Sequence, residues 1–204
     1  MKSGIFYFSG AGNSEAIAKE LAGLLQTDMC KRVSDVIDAD FDDVTQVGIV
    51  FPVYYFAPPT KVKIFIEEVL GSKIRNTIEY LFVIMSHGGM SSYGPTITER
   101  LLEDAGYVAS YTETIRMVDT FTPLSKLPSR DKREITSKKA YERVVHIAKE
   151  IENQEIKVKA RLPLSNIAYR LFKRISEWRY TYDNKFVVDE RCTSCGLCVE
   201  KCPV

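Results

Sequence analysis

Two short stretches of the chain hold residues whose types and spacing suit chemistry. The first is Cys192-Thr193-Ser194-Cys195-Gly196-Leu197-Cys198-Val199-Glu200-Lys201-Cys202-Pro203, which contains four of the five cysteines. Three thiols so close together can fold one loop around a cubane iron–sulfur cluster, and the fourth, placed before a proline, is spaced to reach a second cluster. Zinc is the main rival, but its sites usually draw on two well-separated cysteine or histidine pairs. Cys192, Cys195, Cys198 and Cys202 are therefore read as metal ligands of a [4Fe-4S] centre. The motif occurs once, so the ligand set within this chain is incomplete. The favoured expectation is that the sequence is truncated; a partner chain that completes the module and a vestigial tail are the alternatives.

The second stretch is Ser9-Gly10-Ala11-Gly12-Asn13-Ser14, between an apolar run and a helical pattern. Glycines let backbone turn sharply and approach a ligand, and a helix N-terminus offers unpaired amides with a favourable dipole. Short polar side chains complete a cradle suited to a phosphate. A P-loop needs Lys followed by Ser or Thr, and a dinucleotide loop needs a third glycine where this chain has Glu15. What remains is a hydroxyl-rich loop for a terminal phosphomonoester. The plainer alternative is a tight turn at Gly10 and Gly12, with Ser9 or Asn13 capping the helix.

These loops require elements to hold them. Gly4–Phe8, Val47–Val53 and Leu81–Met85 are short, continuous apolar runs of the kind buried on both faces of a parallel sheet. Weaker strands are expected near Met29–Val33 and between Val108 and Met117. Helical faces are marked by Ile17, Leu21, Leu24 and Leu25, by Val62, Phe65, Ile66, Val69 and Leu70, and by Ile97 and Leu101. A long fourth helix carries Tyr141, Val144, Val145, Ala148 and Ile151. The alternation predicts a doubly wound α/β domain with five parallel strands, whose ligand crevice lies at the strand carboxyl ends.

The composition of the 204-residue chain is otherwise ordinary: 45% hydrophobic, 27% charged, net charge +1. That balance excludes a nucleic-acid-binding chain by charge. The apolar stretch Ile5–Phe8 is too short for a signal-peptide core, and no run of ~18 apolar residues exists for a membrane span, so a cytoplasmic protein is expected. Clustered thiols also fit a reducing compartment better than a disulfide framework. Lone Cys30 is expected to be a buried small hydrophobe. Charge is uneven: residues 157–185 carry +6 and the rest −5. This segment is read as a basic connector, either docking an acidic partner or forming a solvated helix face.

With the loops in place, a resemblance is visible. Ile5-Phe6-Tyr7-Phe8-Ser9-Gly10-Ala11-Gly12-Asn13-Ser14 resembles the opening of flavodoxin-like domains fused to bacterial-type ferredoxins. The resemblance implies a flavodoxin-like domain over residues 1–155, a basic connector over 156–183 and a partial ferredoxin-like appendage over 184–204. It implies that Ser9, Gly10, Ala11, Gly12, Asn13 and Ser14 wrap the phosphate of FMN. It also assigns two later loops to the flavin ring: Pro52, Val53, Tyr54, Tyr55 and Phe56 after the third strand, and Ser86, His87, Gly88, Gly89 and Tyr93 after the fourth. An isoalloxazine ring needs flat apolar partners on its faces and backbone groups along its edge, and these loops contain both. Tyr54 and Tyr93 are the expected stacking residues, with Tyr55 or Phe56 left as core candidates. His87 either tunes the flavin and moves a proton or simply caps backbone groups. His146 is read as a helix-surface residue. Lys185-Phe186-Val187-Val188-Asp189 is expected to be a short strand leading into the cysteines.

The implied function is electron transfer between FMN and iron–sulfur chemistry with redox partner proteins. An FMN-dependent reductase of a small organic acceptor is the first alternative, and a non-catalytic binding protein is the second.

Overall fold

The computed structural model describes residues 2–70, 78–121, 126–179 and 187–202. Five strands form one sheet: β1 (Ser3–Tyr7), β2 (Cys30–Arg32), β3 (Gln46–Pro52), β4 (Tyr80–His87) and β5 (Tyr111–Arg116). Their spatial order is β2-β1-β3-β4-β5, and every pairing is parallel. β3 is buried along its whole length and β4 up to its last residue, as their unbroken apolar runs demand. Around the sheet lie helices α1 (Asn13–Leu24), α2 (Thr60–Ile64), α3 (Gly94–Asp104), α4 (Arg130–Glu152), α5 (Ser165–Arg179) and α6 (Leu197–Lys201). α2 runs on as a π-helical turn over Phe65–Leu70.

One side chain set of the sheet packs with Val62, Phe65, Ile66, Leu70, Ile97 and Leu101 from α2, its π turn and α3. The opposite face packs with Ile17 and Leu21 of α1 and Val144, Ile147 and Ile151 of α4. Within α4 the buried face is Ala140, Val144, Ile147, Ala148 and Ile151, whereas Tyr141 is exposed. The expected face is thus shifted by part of a turn, because the burial set steps from 140 by four and three residues.

The larger departure concerns the basic stretch after α4. Lys157 pairs in parallel with Tyr111 as a single added bridge on the β5 edge, with Lys157 N donating to Ser110 O at 2.9 Å and Thr112 N to Lys157 O at 2.7 Å. Lys159 N donates to Thr112 Oγ1, and Leu162 N to Thr96 Oγ1. α5 then lies on α3, where Tyr169 and Lys173 both reach Asp104 and Arg100 reaches Asn166. Tyr169 and Phe172 join the core on that side. Residues 156–179 therefore form a strap and helix built onto the α/β unit. Lys157, Lys159, Arg161 and Lys173 are engaged by Glu113, Glu150, Glu99, Glu103 and Asp104. For these four cations the reading as a partner-docking or solvated face does not hold. Arg170 and Arg174 remain exposed.

Val187, Val188 and Asp189 form no strand; Lys185 and Phe186 lie outside the described residues. No helix among the described residues is long and apolar enough to cross a membrane.

Candidate functional site

The carboxyl end of β1 opens into the 9–12 loop, and α1 begins at Asn13. Gly12 stands before it at φ 87°, a left-handed conformation that glycine adopts without the Cβ penalty. No side chain caps this helix end. The amides of its first turn have no intrahelical acceptor and face the loop with the positive end of the helix dipole. The alternative in which Ser9 or Asn13 caps the helix is thereby set aside. Asn13 instead donates from Nδ2 to Val118 O at 2.8 Å, tying the loop to the segment after β5. Ser14 is fully buried, and its hydroxyl meets that of Ser86 at 2.8 Å, joining α1 to β4. Ser9 is half-buried; Gly10, Ala11 and Gly12 are exposed.

Beyond β3, Pro52 is buried and Val53 N donates to Ser86 O. Tyr54 through Ala57 form a tight turn closed by two backbone hydrogen bonds, Tyr54 N to Ala57 O and Ala57 N to Tyr54 O. Its central residues, Tyr55 and Phe56, have φ of 50° and 67°. Two successive positive values are the pattern of a type I′ turn, normally filled by Asn, Asp or Gly. Bulky side chains there are strained, by about 1–3 kcal/mol each. Both rings are exposed, so neither is a core residue, which corrects that expectation. Tyr54 turns back over the first loop, edge-on to Phe8, with its hydroxyl so close to Gly10 that a Cβ there would lie 2.5 Å away. Burial raises the Tyr54 phenol pKa, and a hydrogen bond from the Gly10 backbone works against that rise.

The third loop follows β4. His87 is half-buried, with Nδ1 enclosed and without a hydrogen-bond partner. Burial lowers its pKa, the Gly89 backbone opposes that, and the nearby charges of Arg116 and Lys159 lower it further. The surroundings of the imidazole therefore favour its neutral form. Gly88 packs against Asp119, while Gly89 faces open space. Tyr93 is partly buried against the core, and its hydroxyl donates to Pro163 O at 3.0 Å.

The first three loops converge at one end of the sheet with a fourth that the sequence reading missed, Met117–Phe121. Met117 N donates to His87 O, Val118 accepts from Asn13, and Phe121 meets Tyr55 edge-on at 5.9 Å. The signal was available, since any loop after a parallel strand in such a sheet opens at the same crevice. Two solved structures share this architecture. A flavodoxin from the domain Archaea superposes with a TM-score of 0.52 at 14% identity, over 74% of this chain and 99% of its own. A flavodoxin of Streptococcus pneumonia TIGR4 gives a TM-score of 0.50 at 17% identity, over 76% of this chain and 99% of its own.

The fold is flavodoxin-like. A comparison with curated proteins finds no match. Residues 186–204 match the family described as 4Fe-4S binding domain. The chain thus joins a flavodoxin-like unit to a segment of that family, the pairing that the two motifs implied. In the segment, Cys192, Cys195, Cys198 and Cys202 are all exposed free thiols. Gly196 caps α6 at φ 74°, and Ser194 is also left-handed. The backbone of Leu197 and then Thr193 hold the Cys195 thiol below its ordinary pKa. No three His, Cys, Asp or Glu side chains among the described residues are gathered to hold a metal. The donor chemistry fits an iron–sulfur cluster, but its ligands are not preassembled; such segments fold round the metal they bind. Cys30, by contrast, is half-buried beside the core, and burial pushes its thiol pKa up.

Proposed function

We propose that the flavodoxin-like unit binds FMN in the crevice between the loops after β1, β3 and β4, and that the protein transfers electrons between this site and a [4Fe-4S] centre on its cysteine segment. The observation that carries the reading is the uncapped start of α1 behind a left-handed glycine, facing exposed aromatics held at strained backbone angles. An open amide end suits a phosphate dianion, and strain retained at exposed rings points to a role in binding rather than in folding.

FMN when bound supplies two-electron acceptance with one-electron release, which would match a one-electron cluster. The residues of this chain bind, orient and exclude water. Gly10, Ala11, Gly12, Asn13 and the helix amides would hold the phosphate, with Ser9 adding a hydroxyl. Ser14 supports that loop through Ser86. Tyr54, Tyr55 and Phe56 supply flat apolar surface for the ring, and Gly88 and Gly89 supply backbone groups at its edge. His87, whose surroundings favour the neutral imidazole, would lie beside the flavin. Cys192, Cys195, Cys198 and Cys202 would ligate iron.

The test is anaerobic purification followed by absorption spectra before and after FMN. Flavin bands that remain with the protein through gel filtration, and are lost in Gly12→Val, are the expected result. A protein that stays colourless and leaves FMN free in solution refutes the reading. Turnover with quinones or similar acceptors would move the assignment to an FMN-dependent reductase of a small organic molecule.

A further inference from the structure

Residues 157–164 bond to the flavin loop at one end and to the neighbouring strand β5 at the other. At one end the Tyr93 hydroxyl donates to Pro163 O at 3.0 Å, bridging seventy positions of sequence. At the other, Lys159 holds Glu113 of β5, the strand paired with β4, at 2.6 Å. Between these points the strap is fastened independently of the loop. Lys159 N is bonded to Thr112 Oγ1 at 2.7 Å and Leu162 N to Thr96 Oγ1 at 3.2 Å. Thr96 is 1% exposed and sits in the first turn of α3, three residues after Tyr93. Arg161 holds Glu99 at 3.0 Å and also Glu103, one turn further along α3. The loop that ends at Tyr93 and the helix that starts at Gly94 are thus clamped against one strap. The same strap leads directly into α5, which carries the chain toward the cysteine segment.

We propose that this strap is a working wall of the crevice, with Tyr93 as a positioning residue whose bond to Pro163 links occupancy of the flavin site to the seating of α5. The inference rests on the FMN reading for its ligand, but the clamp itself belongs to the free protein. Any ligand that orders the 87–93 loop also orders the strap, and by reciprocity a loosened strap weakens the ligand. An exposed neutral hydrogen bond makes the linkage modest, about three- to tenfold in affinity or local opening. Tyr93 therefore acts on the strap through its hydroxyl.

Hydrogen exchange read by mass spectrometry on the full chain tests this, first without ligand and then with FMN. In the free protein, Tyr93→Phe is expected to speed exchange about three- to tenfold in both 88–93 and 160–164, leaving β3 and β4 unchanged. No change in either segment overturns the clamp, whatever FMN does. With FMN added, the unaltered protein is expected to gain protection in 160–176 as well as in its loops. Arg161→Gln, which releases the strap from Glu99 and Glu103, is expected to weaken FMN binding in a fluorescence titration. Combined with Tyr93→Phe, its effect should be less than additive. FMN affinity within twofold of the unaltered protein for both single variants overturns the linkage. An unaltered protein that shows no FMN binding in the titration refutes the flavin reading by itself, while the ligand-free exchange still decides the clamp.

Discussion

Glu113 offers a stringent check on how the strap is held. Its carboxylate, 6% exposed, receives Lys159 at 2.6 Å, Arg143 at 2.5 Å and Lys157 at 3.2 Å, together with the Thr114 amide. Burial alone would raise its pKa, but these partners outweigh it and carry the group from 4.5 down to about 2. A difference of that size, at about 1.4 kcal/mol per pKa unit, corresponds to roughly 3 kcal/mol of stability from ionised Glu113. The cations are a third or more exposed, so solvent screening makes this figure a ceiling. The sign follows from the depressed pKa: the contribution is present in full above the unfolded-state value of 4.5. It is lost as pH falls toward 2, because the unfolded chain then binds a proton that the folded one does not.

Glu113→Gln removes the charge and keeps the shape. Urea unfolding followed by far-UV circular dichroism at pH 7, 5, 4 and 3 is expected to show the variant less stable by about 2–3 kcal/mol at pH 7. The gap should narrow steadily below pH 4.5, since protonated Glu and Gln are nearly equivalent to the three cations. A gap that stays constant with pH, or one under ~0.5 kcal/mol at neutral pH, would show that the strap is held by something other than this carboxylate.

Other outcomes follow from the same geometry. Ser14→Ala leaves the buried Ser86 hydroxyl without its partner and should lower stability by about 1–3 kcal/mol in the same unfolding assay. Replacing Tyr55-Phe56 by Asn-Gly gives the turn residues suited to positive φ, so the flavin-free protein should gain about 1–2 kcal/mol while FMN affinity falls; a loss of stability would contradict the strain argument. In cluster-free protein, Cys195, with its thiol pKa lowered, should be alkylated by iodoacetamide faster than Cys30 at pH 7.5 when followed by peptide mass spectrometry, and the reverse order would contradict the assigned environments.

The sheet was legible because strands buried on both faces have nowhere to place polar residues. β3 and β4 therefore appear as unbroken apolar runs whose paired register is fully buried. The 9–14 loop was legible for a similar reason: its glycines and hydroxyls sit at a strand-to-helix junction, where only a turn and an open amide end can form. Tyr55 and Phe56 were not, since aromatic residues favour strands and nothing in their type announces a left-handed turn. Nor was the commitment of Ser14 to Ser86, which depends on two residues seventy-two positions apart. The cysteine segment shows the opposite limit. Its spacing states the chemistry plainly, yet Val187, Val188 and Val199 are all exposed, and among the described residues the thiols are not gathered into one group.

The basic stretch shows most clearly why patterning stops short of placement. A count of charges records sign and position along the chain, not who stands opposite. Residues 157–185 carry +6 and the remainder −5, a division first read as two regions of different character. Among the described residues, part of each region forms one side of a shared contact. Glu99, Glu103 and Asp104 line α3, Glu113 lies within β5 and Glu150 in the last turn of α4, and four of the eight basic residues lie against them. An acidic excess in an α/β unit and a basic excess in the segment that follows it are complementary quantities. That complementarity favours a strap laid across the sheet edge over a free linker. The chain from the β5-edge strap through α5 accordingly runs through packed, hydrogen-bonded structure.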